Sequence, residues 1–306
     1  MRILVTGGLG ALGAPLAREL RNRGHEVWVC DLVHSVGPNY IRCDVGNFRQ
    51  VKRIFDQLEF DYVYHLAAEF GRKNGEEYYE NLWITNAIGT KNILRMQEEK
   101  KFRLIFSSSS EVYGDYGGVM EEDVLLHHPV RQLNDYAISK WVNEMQIINS
   151  AEQFGTETVR IRIFNAYGPG EHYSDYRSVV CVFSYRALMG LPYTVFLKHH
   201  RTSIYIDDAV RTMANIVDRF RPGEVYNIAG RQYHDIKYIS DLVLQYLGKD
   251  DSLVQYLDYE PHNTLNKKAD ITKSIQDLGH DPRVPLEEGI PSTIEWMKSV
   301  CELPRL

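Results

Sequence analysis

A glycine-rich turn between an apolar run and a helix-like segment opens the chain, and it constrains the fold more than any other feature. Arg2–Thr6 is a short apolar run, the segment 6–13 reads Thr-Gly-Gly-Leu-Gly-Ala-Leu-Gly, and leucines recur at steps of four over residues 12–20. Small residues in such a turn let the backbone approach a pyrophosphate, whose charge lies at the helix N-terminus. The strand–turn–helix context therefore predicts a dinucleotide-binding unit.

The expected dinucleotide site extends from this turn to an acidic residue at the end of the second strand. The turn residues expected to contact the cofactor are Gly7, Gly10, Ala11, Leu12 and Gly13. Asp31 follows the mainly apolar run Glu26–Cys30, at the position where a carboxylate binds both ribose hydroxyls. Because it would repel a 2′-phosphate, we expect NAD rather than NADP.

Strand-like and helical segments alternate along the first half of the chain. Strands separated by helices of 10–20 residues are typical of βαβ units around a parallel sheet. The alternation ends near residue 167, where Gly168-Pro169-Gly170 and short mixed segments follow. We expect an α/β protein: a doubly wound parallel (Rossmann) sheet over residues 1–166 that holds NAD and the catalytic residues, and a smaller C-terminal α/β part over 167–306 that mainly binds substrate.

Composition excludes several classes of protein. Of 306 residues, 44% are hydrophobic and 25% charged, so the chain can bury a core without disulfides or metal. The net charge is −6 and the 35 basic residues are scattered, whereas nucleic-acid binding needs a concentrated basic face. No uncharged apolar run approaches the ~18 residues of a membrane span. Four cysteines lack metal-like spacing. We expect a cytoplasmic protein with no nucleic-acid, membrane or metal partner.

A tyrosine and a lysine four residues apart indicate chemistry on an alcohol. Tyr136 and Lys140 fall in a predicted helix over 133–153 and so share a face. A lysine ammonium one turn from a phenol favours phenolate and lowers its pKa. Such a tyrosine can act as a base while NAD accepts hydride from the same carbon. Ser107–Ser110 follows an apolar strand, at the edge where open α/β sheets bind ligands.

Together these features resemble the extended short-chain dehydrogenase/reductase family, specifically its nucleotide-sugar-modifying members, over nearly the whole chain. The segments that carry the resemblance are Thr6–Gly13, Asp31, Asp44-Val45, His65–Ala68, Asn86, Ser107–Ser110, Tyr136 with Lys140, and Arg162–Pro169. The resemblance implies a Rossmann fold, NAD as cofactor and a nucleotide-diphosphate sugar as substrate.

The resemblance also assigns residues to the two ligands. For the cofactor it implies Asp44 and Val45 at the adenine and Leu66, Ala67, Ala68, Asn86, Tyr136 and Lys140 along the channel. Ser109 would complete a triad with Tyr136 and Lys140. For the substrate it implies Ser110, Asn165 and Arg201, with Arg177 as a further candidate for the diphosphate. The segment 69–73 and Tyr78/Tyr79 either meet the sugar or belong to the loop and helix surface.

Glu111 is the residue that bears on the reaction. The resemblance implies oxidation of the sugar, usually at C4, and in the 4,6-dehydratases a glutamate here removes the C5 proton. We therefore expect a nucleotide-sugar 4,6-dehydratase (a lyase), with Tyr136 as base and Ser109 orienting the hydroxyl. Ser110 cannot act as the acid that dTDP-glucose dehydratases place before the glutamate, so the stretch fits GDP-mannose-type dehydratases or decarboxylases better. UDP-glucuronate decarboxylation and epimerisation remain alternatives. A non-catalytic NAD-binding regulator is the alternative from another class.

Three remaining patterns bear on metal binding, on recognition of the nucleotide and on oligomerisation. The histidine pairs at 127–128 and 199–200 are expected to be exposed loop residues rather than metal ligands, because adjacent residues on a strand point opposite ways. Lys267 and Lys268 stand where many relatives carry arginine near the nucleotide. The helical patterns at 79–99 and 133–153 favour a homodimer, although the same apolar stripe could be buried in the monomer. That stripe comprises Ile138, Trp141, Val142, Met145 and Ile148.

Overall fold

The computed structural model of the chain describes residues 1–301. The strands are β1 Arg2–Thr6, β2 Glu26–Asp31, β3 Tyr40–Arg42, β4 Tyr62–His65, β5 Arg103–Ser109, β6 Val119–Met120, β7 Thr158–Ile163, β8 Ala166–Tyr167, β9 Tyr193–Phe196, β10 His200–Thr202, β11 Ile204–Tyr205, β12 Val225–Ile228, β13 Tyr233–Asp235, β14 Val254–Leu257 and β15 Asn266–Ala269.

Twelve α-helices, a π-helical turn and a 3₁₀ turn connect these strands within the described residues. The helices are α1 Gly13–Asn22, α2 Phe48–Gln57, α3 Arg72–Glu77, α4 Tyr79–Trp83, α5 Gly89–Lys100, α6 Val124–His127, α7 Asp135–Phe154, α8 Val179–Met189, α9 Ile206–Asn215, α10 Ile236–Leu247, α11 Thr272–Leu278 and α12 Leu286–Val300. The π turn is Ile84–Ile88 and the 3₁₀ turn is Ser110–Tyr113. As far as residue 301, no helix has the length and apolar character needed to cross a membrane.

The central sheet has seven strands in the order β12-β7-β5-β4-β1-β2-β3, and every neighbouring pair is parallel. From β1 the chain winds toward β2 and β3 on one side and toward β4, β5 and β7 on the other. In open sheets of this kind, ligands bind outside the carboxyl ends of the strands where the winding reverses. The predicted doubly wound Rossmann sheet is confirmed.

The two parts of the chain are more interleaved than the predicted division at residue 166. Strand β12 pairs with β7, with Val225 opposite Arg160 and Ile228 opposite Ile163, and so joins the large sheet. Helix α9 packs on α1. The sheet-bearing part therefore takes a strand and a helix from the second half of the sequence.

Alternation along the strands gives each face of the sheet its own core. Ile3 and Val5 pack with α1 and α9, whereas Leu4 packs with α2 and α5 on the opposite face. A third core joins α8, α10 and α12 in the C-terminal part. The sheet is thus covered on both faces, as a parallel sheet requires.

The C-terminal part contributes a small sheet at the side of the large one, with the order β13-β10-β15-β6. Strands β10 and β15 are parallel and place Arg201 opposite Lys267. Two basic residues far apart in the sequence are thereby brought side by side.

Helix α7 confirms the predicted helix over 133–153, and its start is set by a cap. The side chain of Asn134 accepts a hydrogen bond from the amide of Ala137 (2.9 Å). Gly155 ends the helix in the left-handed conformation (φ 63°). The predicted helix over 79–99 is instead divided into α4, the π turn and α5. A π turn adds one residue to the helical register, a change often found at functional sites.

Candidate active site

A deep cleft crosses the carboxyl ends of β1, β4, β5 and β7 and continues into the C-terminal part. It brings together most residues that the sequence predicts for cofactor and substrate. Those residues are Gly7, Gly10, Ala11, Leu12, Gly13, Asp31, Asp44, Val45, Leu66, Ala67, Ala68, Ser109, Ser110, Glu111, Tyr136, Lys140, Asn165 and Arg177. Asn86 and Arg201 do not line it.

The glycine turn forms one end of the cleft with its backbone. Gly7 has a φ of +66°, and a Cβ there would lie 2.8 Å from the Ala67 backbone. A Cβ on Gly13 would overlap the carbonyl oxygen of Gly7. Helix α1 begins at this turn without a side-chain cap, so the positive end of its dipole faces the turn and favours an anion there. This end fits the pyrophosphate of a dinucleotide.

Two carboxylates mark the nucleoside end of the cleft. Asp31 Oδ2 accepts a hydrogen bond from the Leu9 amide (3.0 Å), which ties β2 to the glycine turn. Asp44 Oδ1 accepts one from the Gly46 amide (2.8 Å), and Val45 beside it is buried. A carboxylate at the end of the second strand is the usual acceptor for ribose hydroxyls, so these residues fit an adenosine.

Lys140 lies one turn beyond Tyr136 on α7, with its ammonium 5.9 Å from the centre of the tyrosine ring. The Nζ atom donates a hydrogen bond to the carbonyl of Ser107 (2.8 Å), at the end of β5. Burial lowers the pKa of Lys140 to about 8, an effect that the charge of Glu144 opposes. The lysine is therefore fixed between helix and strand beside the tyrosine.

The pKa of Tyr136 is shifted in the direction opposite to the prediction. Burial raises it to about 12, a hydrogen bond with Ser109 lowers it, and the charge of Glu111 raises it further. The expected lowering by Lys140 is not found, because desolvation of the phenol dominates. At neutral pH this tyrosine holds its proton, and it needs additional stabilisation of the phenolate to act as a base.

Glu111 forms an ion pair with Lys267, which joins the end of β5 to β15 inside the cleft. The Lys267 side chain is 3% exposed and that of Glu111 19%. Burial would raise the pKa of the Glu111 carboxyl, but the charge of Lys267, helped by Arg201 and Arg72, outweighs it and holds the pKa below its ordinary value. Burial lowers the pKa of Lys267, and the charge of Glu111 opposes that shift.

Arg201 lies behind this ion pair rather than on the surface of the cleft. Its guanidinium donates to the carbonyls of His200 (2.8 Å) and Leu265 (2.9 Å) and to Asn263 Oδ1 (3.2 Å). Burial lowers the pKa of Arg201 to about 10, so it remains charged at neutral pH. The structure thus places Arg201, which is predicted to contact a diphosphate, outside the lining of the cleft, where its charge acts on Glu111.

The two histidine pairs differ in their environment. Residues 127 and 128 are exposed, as predicted. His199 is 2% exposed, and its Nε2 accepts a hydrogen bond from the Glu260 amide (2.9 Å). Burial lowers its pKa to about 4, so the prediction of exposed histidines is wrong at 199. Over residues 1–301, no three potential metal-ligating side chains form a group.

Asn86 is a brace behind the cleft rather than part of its wall. In the π turn, its Oδ1 accepts a hydrogen bond from the Glu69 amide (2.9 Å). Its Nδ2 donates to the Glu69 carbonyl and to Ser139 Oγ, each at 3.0 Å. These bonds occupy the side-chain amide and link the loop after β4 to helix α7. The structure thus places Asn86, which is predicted to contact the cofactor, behind the lining of the cleft.

Asn165 and Arg177 line the end of the cleft remote from the glycine turn. Asn165 has a φ of 39° and donates through Nδ2 to the carbonyl of Thr202 (3.1 Å). The Arg177 guanidinium lies 4.2 Å from the centre of the Phe70 ring, and its Nε is buried without a hydrogen-bond partner in the described residues. Since an unpaired buried donor is costly, an anionic ligand would suit this position.

The sequence does not predict the role of one cleft residue, Lys267, and it leaves Glu69 as either a sugar contact or part of the loop surface. Lys267 is recognisable only as a lysine where relatives carry arginine, because its partner Glu111 is 156 residues away. Glu69 also lines the cleft. Its only signal is its place directly after the strand end Leu66–Ala68.

A family comparison agrees with this geometry. Residues 3–229 match the model of the NAD dependent epimerase/dehydratase family. The chain belongs to that family. The predicted resemblance is confirmed, and so is NAD as the cofactor, which the glycine turn and Asp31 fit.

Relatives and solved structures match almost the whole chain. The UDP-N-acetyl-alpha-D-glucosaminuronate decarboxylase of Bacillus cytotoxicus is 32% identical, over 98% of this chain and 98% of its own. The dTDP-glucose 4,6-dehydratase of Salmonella typhimurium is 26% identical, over 97% of this chain and 92% of its own. The structure of UDP-glucuronic acid 4-epimerase from Bacillus cereus in complex with UDP-glucuronic acid and NAD has a TM-score of 0.86 and 26% identity, and the match covers 98% of this chain and 100% of that one. The enzyme therefore belongs to the group of nucleotide-sugar decarboxylases, epimerases and 4,6-dehydratases.

Proposed function

We propose that the enzyme decarboxylates a nucleotide-linked uronic acid, with UDP-glucuronate as the first substrate to test. The observation that carries the proposal is the ion pair of Glu111 and Lys267 in the cleft near Tyr136. A C6 carboxylate requires a cation, and Lys267 lines the cleft. Arg201 and Arg72 add their charges close behind. Glu260 pairs with Arg72 and also acts on Arg201 and Lys267, which offsets part of this charge. The excess of positive charge that remains favours a second anion.

The same ion pair makes dehydration the weaker interpretation. A 4,6-dehydratase needs a base for the C5 proton, and a base is most effective when its pKa lies near the working pH. Lys267 holds the pKa of Glu111 below its ordinary value, which makes the carboxylate a poorer base. Ser110, directly before it, is buried and carries a hydroxyl rather than an acid to protonate a leaving hydroxyl.

The proposed reaction begins at C4 of the sugar. Bound NAD supplies the hydride acceptor at C4 and later the hydride donor. Tyr136 takes the proton of the C4 hydroxyl, and Ser109, which lines the cleft with it, orients the alcohol. The 4-ketone then lies β to the C6 carboxylate. The C5–C6 bond breaks, carbon dioxide leaves, and the electron pair enters the C4–C5 enolate. A proton from solvent is added at C5, hydride returns to C4, and Tyr136 returns its proton to the C4 oxygen, which gives the nucleotide pentose.

Two residues at the far end of the cleft are proposed to bind the diphosphate. Arg177 offers a guanidinium nitrogen that is buried and unpaired in the described residues. Asn165 lies on the same wall, at the end of β7. A guanidinium binds phosphate oxygens in a fixed fork, which holds the nucleotide in one orientation. Arg201 is left out of this site because its donors are used elsewhere.

Mass spectrometry of the products tests the proposal. The purified enzyme is supplied with NAD and, separately, UDP-glucuronate, UDP-N-acetylglucosaminuronate, UDP-glucose, GDP-mannose and dTDP-glucose. We expect a uronate to lose carbon dioxide and yield a pentose. Lys267→Met should slow this loss at least about tenfold, whereas Lys268→Met, a change at the exposed neighbouring lysine, should not. Uronates that stay intact while a hexose reacts would contradict the proposal.

A nucleotide-sugar 4,6-dehydratase is the second candidate. The observation in its favour is that Glu111 lines the cleft together with Tyr136, and that its charge raises the pKa of Tyr136. The C5 base of a dehydratase must lie in the cleft with the tyrosine in this way. Loss of one water from a nucleotide hexose would establish it. An unchanged mass with a changed sugar isomer would establish epimerisation, the third reaction of the group.

We also propose that the enzyme is a homodimer. Part of the predicted stripe on α7 is exposed in the monomer, as are apolar residues of the neighbouring π turn. These residues are Ile84, Ile88, Ile138 and Met145, with exposed fractions between 38% and 50%. Contiguous exposed apolar surface marks an interaction site. Sedimentation should give a dimer that Ile88→Glu with Met145→Glu dissociates and that Leu126→Glu, at another exposed site, leaves intact.

A cytoplasmic location is proposed from the state of the thiols. All four cysteines are free, and Cys30, Cys43 and Cys181 are buried. Free thiols are typical of reducing compartments. Thiol titration of protein isolated without reductant and then unfolded should find four thiols per chain; a smaller number would contradict the proposal.

A further inference from the structure

Glu69 is a carboxylate in the cleft that the proposed reaction does not use. It directly follows the wall formed by Leu66–Ala68 at the end of β4, and it lines the same cleft as Tyr136. Asn86 fixes its backbone on both sides, through the amide (2.9 Å) and the carbonyl (3.0 Å). The side chain therefore leaves a rigid point of the loop rather than a mobile one.

The carboxylate of Glu69 is itself held in one orientation. The buried side chain of Asn74 donates to its Oε2 (2.8 Å), and the same nitrogen donates to the carbonyl of Phe70 (3.2 Å). Within residues 1–301, no arginine or lysine forms an ion pair with Glu69. A carboxylate that is held in one orientation and has no ion-pair partner is an acceptor for neutral donors such as hydroxyls.

The strand order places Glu69 away from the cationic side of the cleft. Strand β5, which leads to Glu111, lies between β4, which leads to Glu69, and β7, which leads to Asn165. The cations Lys267 and Arg201 enter from the C-terminal sheet and act on Glu111. The side of the cleft at Lys267 and Glu111 is thus cationic and suits a carboxylate. Glu69 has no ion-pair partner in the described residues, although Arg177 packs on the neighbouring Phe70, and forms an acidic side that suits hydroxyls.

The chemistry of a hexuronate then fixes which hydroxyl meets the acidic side. C4 must face Tyr136, and C4 is bonded to C5, which bears the carboxylate, and to C3, which bears a hydroxyl. When the carboxylate lies at Lys267, the C3 hydroxyl lies on the other side of C4. Placing the uronate carboxylate at Glu69 would bring two negative charges together.

We propose that Glu69 accepts a hydrogen bond from the C3 hydroxyl of the substrate sugar and is a specificity-determining residue of the enzyme. The inference rests on the proposed nucleotide-uronate site and adds a requirement to it. The sugar must carry a free hydroxyl next to the reacting carbon, and a substituent without a donor there is rejected.

Calorimetric binding of two probes tests this contact without relying on turnover. The probes are UDP-glucuronate and its 3-deoxy-3-fluoro analogue, in which fluorine cannot donate a hydrogen bond, and each is titrated into the NAD-loaded enzyme. Hydrogen bonds to charged groups lead us to expect that Glu69→Gln weakens UDP-glucuronate about tenfold or more. The analogue should lose a similar factor with the unmodified enzyme and little more with Glu69→Gln. Glu80→Gln, at an exposed glutamate on α4, is the matched control and should bind both probes normally.

The inference is overturned if Glu69→Gln weakens the binding of the 3-deoxy-3-fluoro analogue by the same factor as that of UDP-glucuronate. It is also overturned if Glu69→Gln binds UDP-glucuronate normally. An unchanged melting temperature and unchanged NAD affinity in Glu69→Gln separate the contact from a structural role. If UDP-glucuronate does not bind at all, the decarboxylase proposal is rejected. UDP-glucose and its 3-deoxy-3-fluoro analogue are then titrated into the unmodified enzyme and Glu69→Gln to test the Glu69 contact. If the variant and the analogue lose the same binding affinity but the enzyme releases no carbon dioxide, the Glu69 contact is supported and the decarboxylase proposal is rejected.

Discussion

The two ends of the cleft are constructed in different ways. The end that fits NAD is made largely of backbone from one short stretch of sequence, with Gly7 and Gly13 packed so closely that neither tolerates a Cβ. The end proposed for the substrate is made of side chains from distant segments, and its central ion pair joins Glu111 to Lys267 across 156 residues.

This difference separates what a family shares from what an individual enzyme does. A turn that accepts a pyrophosphate needs small residues at fixed spacing, whatever reaction follows. An ion pair between two strands can be exchanged or removed without disturbing that turn, and it changes the charge that the substrate meets. We therefore expect changes at the two ends to have separable effects on NAD binding and on the reaction.

The largest effect is expected at Tyr136, where the two ends meet. Tyr136→Phe removes the proton carrier while keeping the ring, and loss of a general acid–base lowers rates by about 10²–10⁴-fold. Turnover of the uronate should fall by that factor while NAD affinity stays unchanged, as measured by product formation and by calorimetry. Full biological activity of this variant would instead identify a non-catalytic NAD-binding regulator.

A methyl group at Gly13 should affect the cofactor end alone. Its Cβ would overlap the carbonyl oxygen of Gly7, so the turn must move away from the position that binds a pyrophosphate. We expect Gly13→Ala to weaken NAD at least about tenfold, since a lost charge-assisted contact costs about 1.5–3 kcal/mol. Gly37→Ala is the control, because a Cβ there meets nothing within 4 Å. Normal NAD affinity in Gly13→Ala would show that the turn yields.

Replacing Lys267 should affect only the substrate end, and it should change how activity depends on pH. Glu111 keeps its pKa below the ordinary value because Lys267 outweighs the effect of burial; without that charge, burial raises the pKa. Activity that needs ionised Glu111 is lost as pH falls through this pKa, so in Lys267→Met the loss should occur at higher pH. Truncating one partner of a buried charge pair costs about 2–5 kcal/mol, so turnover should also fall at least about tenfold.

Lys267→Arg is the matched control for this prediction. It restores a cation beside Glu111, so the acid limb of the pH–rate profile should return toward that of the unmodified enzyme. NAD affinity should be equal in all three proteins. An acid limb that does not move in Lys267→Met would show that Glu111 does not control it.

The sequence predicts the cofactor end almost completely, for a physical reason. Its requirements are local: small residues in a turn, a carboxylate at the next strand end, and a tyrosine one helical turn before Lys140. The residues that meet these requirements line the cleft, whereas Asn86, which the resemblance assigns to the cofactor, does not. Asn86 lies in the π turn, and its amide bonds to Glu69 and Ser139.

The substrate end is less predictable because its side chains depend on pairing between distant strands. Arg201 was expected at a diphosphate, yet the pairing of β10 with β15 places it against Leu265 and Asn263. His199 was expected on the surface, and the same sheet buries it. Neither the direction of a side chain in such a strand nor its partner can be deduced from the residue type alone.

The smallest expected effect returns to the cofactor end and concerns charge rather than shape. Asp31→Asn keeps the size of the side chain and an oxygen for the Leu9 amide (3.0 Å), but removes the charge that repels a 2′-phosphate. Two charges 4 Å apart in water interact by about 1 kcal/mol, so the preference for NAD over NADP should fall about fivefold. Asp61→Asn, which likewise affects an acceptor of one backbone amide (2.7 Å), should leave the preference unchanged. An unaltered preference for NAD over NADP in Asp31→Asn would show that the shape of the turn, and not this carboxylate, selects NAD. Pyrophosphate binding and the choice of NAD would then both depend on the backbone of this end.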